Sequence, residues 1–223
     1  MNREAPEPVS LDIPIPGLVL PGLLYLPAEP RALVLFSHGS GSSRFSTRNN
    51  YVARILHQQG LAALLFDLLT EQEDRTYETR FDIDLLTGRL IAVTDWVLRH
   101  PNLKDLPLGY FGASTGAASA LCAASHFDTR IAAVVSRGGR PDLAGGALPM
   151  VTAPTLLLVG GLDEVVIELN RLAAKQMRCP VKLAIIPGAT HLFEETGTLE
   201  QVAERSADWF LHKMAKNEYH VPG

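Results

Sequence analysis

The chain has 223 residues, of which 47% are hydrophobic and 20% are charged, and its formal net charge is −4. This length suits one sizeable core, so we expect a single domain over residues 1–223. The mild negative charge argues against a nucleic-acid partner or an acidic membrane surface, and no apolar run approaches the roughly 20 residues that cross a bilayer.

Eight apolar segments are predicted as β-strands. Residues 8–14 and 17–26 come first, and we expect these two strands to pair. The other six are nearly continuous apolar runs, which are typical of strands buried on both faces of a parallel sheet. These runs are residues 32–37, 61–67, 107–113, 130–136, 154–160 and 181–187.

Helical patterns fall between these strands. In the clearest, residues 82–99, apolar side chains recur at the spacing of one helix face. The alternation of strands and helices predicts a mostly parallel, doubly wound α/β sheet with right-handed crossovers. Such sheets carry their functional sites beyond the carboxyl ends of the strands. The remaining predicted helices are residues 49–59, 115–126, 164–178 and 198–214.

A GxSxG pattern follows the third of the buried runs, where Ser114 stands between Gly112 and Gly116. Between a strand and a helix, this pattern forces a sharp turn that holds the serine in a strained conformation with its hydroxyl exposed. The alternative is a glycine-rich turn with an inert serine. Because the pattern falls between a predicted strand and a predicted helix, we predict Ser114 as a nucleophile.

A serine hydroxyl needs a base, and the base needs an orienting acceptor. His191 follows the last predicted strand, whereas the other histidines, apart from His38, lie on predicted helices or near the C-terminus. Asp163 follows the preceding strand, with a helix N-cap, or transfer of its role to Glu164, as the alternatives. The resulting order of serine, aspartate and histidine is the order that α/β-hydrolases use.

Two backbone N–H groups are predicted to stabilise the oxyanion of an acyl-transfer reaction. One belongs to Thr115, which follows the nucleophile at the start of a helix. The second belongs to Ser40 in the Gly/Ser-rich loop after residues 32–37, with Gly41 as the alternative. A phosphate-binding loop is disfavoured because no GK[ST] or GxGxxG pattern follows.

The motifs HGSGSSRFSTRN, GASTG, VGGLDE and PGATHLFEE together resemble the small α/β-hydrolases of the dienelactone-hydrolase-like group, over residues 17–214. The resemblance implies a carboxylic-ester hydrolase that forms an acyl-enzyme without metal or cofactor. The named dienelactone hydrolases use cysteine as nucleophile, whereas this chain has Ser114, which argues against dienelactone as the substrate. Residues 137–150, where many relatives insert a cap, are too few for one, so we expect an open site for short acyl groups.

Four arginines fall on loops at the same end of the predicted sheet. One or more could bind a carboxylate or phosphate on the substrate, because guanidinium matches these groups bidentately. The alternative is a solvated or structural role. These residues are Arg44, Arg48, Arg137 and Arg140.

Several other activities would use the same residues. A thioesterase, amidase or peptidase would share the triad, and a lyase or perhydrolase could also use it. A non-catalytic ligand-binding scaffold is the alternative outside the enzymes.

Residues 1–8 lack the pattern of a secretory signal, and Cys122 and Cys179 have no paired spacing, so we expect a cytoplasmic protein. The expected partner is a small ester substrate. The sequence neither indicates nor excludes a homodimer.

Overall fold

A computed structural model describes residues 7–214 of the protein. Residues 1–6 and 215–223, which the single-domain prediction includes, lie outside the described residues. The described strands are β1 (Val9–Ile15), β2 (Leu18–Tyr25), β3 (Leu33–Ser37), β4 (Ala62–Phe66), β5 (Leu108–Ala113), β6 (Ile131–Arg137), β7 (Thr155–Gly160) and β8 (Val181–Ile186). Each lies within one or two residues of a predicted segment.

All eight strands form one sheet in the order β1-β2-β4-β3-β5-β6-β7-β8. The pairings of β1 with β2 and of β2 with β4 are antiparallel, and the other pairings are parallel. The mostly parallel sheet of about eight strands is therefore confirmed. Because β3 to β8 run in one direction, the loops that follow them meet at one edge, as the sequence predicted.

Helices cover both faces of the sheet. Every residue of β3, β4 and β5 is buried, which explains why these strands are apolar without alternation. One face packs against α3, α4 and α5, and the other against α1 and α6. The described helices are α1 (Thr47–Gln58), α2 (Glu71–Asp74), α3 (Ile83–Val97), α4 (Gly116–Phe127), α5 (Glu164–Gln176) and α6 (Thr198–Met214).

The edge of the sheet that carries the predicted site has no large inserted cap within residues 7–214. The segment where a cap was considered forms short 3-10 turns over Pro141–Met150, which pack against α4 and α5. The sequence did not predict α2 or these turns, because they are too short to show a period. No helix within the described range is long and apolar enough to cross a membrane.

Candidate active site

Ser114 stands in the turn between the end of β5 and the start of α4. Its φ of 52° lies in the left-handed region, which costs a residue other than glycine of order 1–3 kcal/mol. Three backbone hydrogen bonds hold this conformation. The Ser114 N–H donates to the Arg137 carbonyl at 3.2 Å, and the Ser114 carbonyl accepts from the N–H groups of Arg140 at 3.0 Å and Ala117 at 3.1 Å. The strained turn predicted from the sequence is therefore present.

The glycines of the GxSxG pattern allow the close packing around this turn. A Cβ atom at Gly116 would lie 2.1 Å from the carbonyl oxygen of Ser37, in the neighbouring strand β3. At Gly112 it would lie 2.5 Å from the Cα atom of Ala117, in the first turn of α4. Both contacts are with backbone atoms, so a side chain at either position would push α4 away from the sheet.

His191 and Asp163 come together from loops that follow β8 and β7. His191 Nδ1 lies 2.7 Å from Asp163 Oδ2, and the side chains are 40% and 16% exposed, respectively. Because a carboxylate only accepts, this bond places a proton on Nδ1 and leaves Nε2 free to accept one. The Leu162 N–H also donates to the Ala189 carbonyl at 2.9 Å, which ties the two loops together.

Side chains that the sequence did not single out brace the His191 loop. The carboxylate of Glu195 accepts hydrogen bonds from the N–H of Thr190 at 3.0 Å and from its hydroxyl at 2.6 Å. Phe193 is 2% exposed and has a φ of 56°, so its ring anchors the turn in the core at the cost of backbone strain. Apart from an apolar residue near the histidine, the sequence contains no pattern that predicts either interaction.

Ser114 and His191 both lie against the chain at the end of β6. A Cβ atom at Gly138 would lie 3.6 Å from His191 Cε1, so the backbone that follows Arg137 lies against the imidazole. No hydrogen bond within residues 7–214 joins Ser114 Oγ to His191 Nε2. Such bonds are often long in ligand-free sites and shorten when substrate binds.

The loop after β3 differs in detail from the predicted oxyanion site. The Ser40 N–H donates to the Thr115 hydroxyl at 3.0 Å, so it is engaged rather than free. Gly41, with a φ of 67°, makes the turn in which the Ser42 N–H donates to the Gly39 carbonyl at 3.2 Å. Within the described range, no hydrogen-bond partner meets the N–H of Thr115 or of Gly41.

His38 is buried and holds the loop after β3 against the end of β4. Its Nε2 accepts from the Leu68 N–H at 3.0 Å, and its Nδ1 donates to the Gly39 carbonyl at 3.0 Å. Burial lowers the pKa of this imidazole, which keeps it neutral. With both ring nitrogens engaged, His38 is a structural residue and not a rival to His191 as a base.

Two of the four arginines pair with partly buried carboxylates. The Arg44 guanidinium pairs with Asp67, whose carboxylate also accepts from the Arg44 N–H at 2.7 Å. Arg140 makes a bidentate pair with Asp142, with Nη2 2.7 Å from Oδ2, and this hydrogen bonding raises the pKa of the arginine. Neither guanidinium offers an uncompensated charge to a ligand.

Arg48 and Arg137 lie elsewhere, where β6 ends beneath the first turn of α1. Arg48 Nη1 lies 3.2 Å from Glu194 Oε1, and the Glu194 side chain is 65% exposed. Arg137 is 8% exposed, and its Nη2 donates to Asn49 Oδ1 at 3.3 Å. Within residues 7–214, no group of three or more His, Cys, Asp or Glu side chains could hold a metal ion.

Comparison with known proteins identifies relatives over most of the chain. A crystal structure of a dienelactone hydrolase from Anabaena variabilis is 50% identical, with a TM-score of 0.92 over 95% of this chain and 100% of that one. Est1E from Butyrivibrio proteoclasticus is 21% identical and has a TM-score of 0.78 over 93% of this chain and 99% of its own, which is a likeness of fold.

A longer relative comes from Mycobacterium tuberculosis and has the provisional name of phosphoribosyl transferase. It is 57% identical over 190 residues, which are 85% of this chain and 43% of that protein. The chain thus spans less than half of that relative, whose name describes the whole protein.

The sequence profile of the Dienelactone hydrolase family matches residues 20–215. That range includes all the strands that lie around Ser114, Asp163 and His191. The architecture and the strained serine turn agree with this match. The chain is therefore an α/β hydrolase that belongs to the dienelactone hydrolase family.

Proposed function

We propose that this protein is a serine hydrolase that cleaves small or short-chain carboxylic esters through an acyl-enzyme. The observation that carries the proposal is the left-handed turn of Ser114 at the carboxyl end of β5, with the bonded pair of His191 and Asp163 in loops at the same edge of the sheet. A nucleophile, a base and an acid that orients the base are the groups that acyl transfer needs.

The reaction follows from these positions. Ser114 Oγ attacks the carbonyl carbon of the ester while its proton passes to His191 Nε2, and the carbonyl electron pair moves to the oxygen. The N–H of Thr115, at the positive end of α4, stabilises this oxyanion. Asp163 stabilises the imidazolium. The alkoxide then leaves with the proton from Nε2, and water repeats the sequence on the acyl-serine.

The preference for short acyl groups is supported by the loops around the site. Within the described range, no cap covers Ser114, and the His191 side chain is 40% exposed. A long acyl chain gains much of its binding energy from an apolar enclosure, and such sites bury most of the ligand surface. Neutral esters of two to four acyl carbons are therefore the substrates with which to begin.

Turnover of matched substrates tests this proposal. p-Nitrophenyl acetate and butyrate, a butyryl thioester and a butyryl anilide are compared on the wild type and on Ser114→Ala. We expect the esters to be cleaved fastest and the variant to lose on the order of 10⁴-fold in kcat. If the thioester or the anilide is cleaved fastest, the protein is a thioesterase or an amidase and not an esterase. Unchanged turnover in the variant would exclude Ser114 as nucleophile.

A further inference from the structure

Arg137 is a buried cation with no anionic partner among residues 7–214. It is 8% exposed, and its only side-chain hydrogen bond within the described range is the 3.3 Å contact with Asn49, which is itself 2% exposed. Its Nε is fully buried and has no hydrogen-bond partner in that range. Buried polar groups in proteins are almost always paired, so each exception needs an explanation.

A second guanidinium adds to this imbalance. Burial, and then the nearby charge of Arg48 in the first turn of α1, lowers the pKa of Arg137 to about 10. Arg137 therefore stays positive at neutral pH. The Arg48 Nε is also buried without a partner in the part of the chain described here. Within residues 7–214, the one acidic side chain that bonds to either arginine is the exposed Glu194, which pairs with Arg48.

A buried, unpaired charge beside a like charge is unfavourable, because neither water nor a counter-ion offsets the loss of hydration. Glu194 offsets little of it, since its side chain is 65% exposed and exposed pairs contribute about 0–1 kcal/mol. Arg44 and Arg140, on neighbouring loops, have carboxylates of their own. Among these four loop arginines, Arg48 and Arg137 are thus the two whose charges no buried carboxylate of the described residues offsets.

We propose that Arg48, Arg137 and Asn49 form a binding site for a small oxyanion, which is the phosphate or carboxylate group of a ligand. Guanidinium presents several N–H donors in one plane, which matches the oxygens of either group. The Asn49 amide adds a neutral donor beside them. The first turn of α1 adds a favourable dipole, and the two guanidinium groups supply the positive charge.

The site adjoins the catalytic residues proposed above. The Arg137 carbonyl accepts from the Ser114 N–H, and Glu194, which pairs with Arg48, is three residues from His191. The anion is therefore either a free effector or the charged end of an ester substrate. The second reading rests on the proposed function, whereas the site itself does not.

Thermal unfolding tests the site without using activity. Inorganic phosphate and succinate are titrated against the wild type and Ser114→Ala at an ionic strength held constant with chloride. At ten times the Kd, we expect Tm to rise by about 3–6 °C in both proteins. If neither phosphate nor succinate raises the Tm of the wild type more than chloride does, the proposal is overturned.

Arg137→Met separates ligand binding from a structural role. We expect it to lose at least tenfold in anion affinity while its Tm without anion equals or exceeds that of the wild type, because a neutral side chain replaces an unpaired buried charge. Arg171→Gln, which removes an exposed arginine of α5, is the matched control and should keep the full anion response. A lower Tm in Arg137→Met together with an unchanged anion response would overturn the proposal.

Glu194→Gln tests the site without altering a buried residue. The substitution releases Arg48 from its carboxylate, so we expect two- to fivefold tighter anion binding. Weaker or unchanged binding would contradict the site.

Ester kinetics then identify the source of the anion. Phosphate that competes with substrate, together with a lower KM for the ethyl half-ester of succinate than for ethyl butyrate, supports a substrate subsite. An anion-dependent Tm with KM unchanged for both esters supports a free effector.

Discussion

The Ser40 N–H donates a 3.0 Å hydrogen bond to the Thr115 hydroxyl, and this bond joins the loop after β3 to the start of α4. Both residues were predicted as oxyanion donors, but only the N–H of Thr115 is without a partner within residues 7–214. The Thr115 hydroxyl can also donate its own proton, for which there is no hydrogen-bond acceptor in that range. Thr115 therefore positions the loop, and in the proposed reaction its hydroxyl is a second donor for the oxyanion.

Thr115→Val removes this hydroxyl and keeps the shape of the side chain. We expect kcat for a short ester to fall by about 10- to 100-fold with a small change in KM, because oxyanion donors act mainly in the transition state. Thr115→Ser should restore most of the rate. Steady-state kinetics check this, and a valine variant as fast as the wild type would show that the hydroxyl has no part in the reaction.

Asp163→Asn keeps the size of the side chain that bonds to His191 but favours the wrong tautomer of the imidazole. We expect kcat to fall by on the order of 10⁴-fold, as for the corresponding change in other triads. The matched control is Glu164→Gln, one residue along the chain, which should stay within twofold of the wild type. The assignment of the acid would pass to Glu164 if the two results were exchanged.

His38 should make stability depend on pH. Burial lowers its pKa in the folded protein, so the unfolded chain binds a proton more readily below the ordinary histidine pKa of about 6.5. The free energy of unfolding contributed by His38 is thus present above pH 6.5 and is lost as the pH falls below it.

Denaturant titrations between pH 5 and 8 measure this dependence. His38→Gln should have a shallower loss of stability below pH 6.5 than the wild type. His126→Gln, which changes an exposed histidine of α4, should follow the wild type. Equal slopes in the wild type and His38→Gln would contradict the assignment of a neutral, buried His38.

Gly116→Ala should destabilise the fold. Its Cβ atom would lie 2.1 Å from the Ser37 carbonyl oxygen, and we expect a loss of about 3 kcal/mol in the free energy of unfolding. Gly88→Ala, on the exposed side of α3, meets nothing within 4 Å and should add about 0.5–1 kcal/mol. Denaturant unfolding of both variants checks the pair, and a neutral Gly116→Ala would show that α4 can move.

The strands, the long helices and the positions of the candidate residues could be predicted from the sequence. Buried parallel strands are marked by apolar runs, and the carboxyl-end rule then brings Ser114, Asp163 and His191 to one edge without any knowledge of contacts. The 2.7 Å bond between His191 and Asp163 is what this rule leads one to expect. The placement at one edge could be predicted because each residue lies in the loop or turn that follows a strand of the parallel set.

Interactions between side chains of different elements could not be predicted in this way. The bond from Ser40 to Thr115 depends on a hydroxyl rotamer, and the strain at Phe193 depends on how its ring reaches the core. Arg44 and Arg137 differ because of residues far away in the chain: Asp67 faces Arg44, whereas Arg137 faces no carboxylate among the described residues. The periodicity of a sequence does not indicate which side chains of distant residues will pair.

The most direct test of the central claim is labelling by a fluorophosphonate, followed by intact-mass measurement and peptide mapping. The proposed mechanism predicts one adduct per chain, located on Ser114, absent in Ser114→Ala and at least 100-fold slower to form in His191→Ala. A wild-type protein that forms no adduct, or one whose adduct maps to another residue and persists in Ser114→Ala, would contradict it.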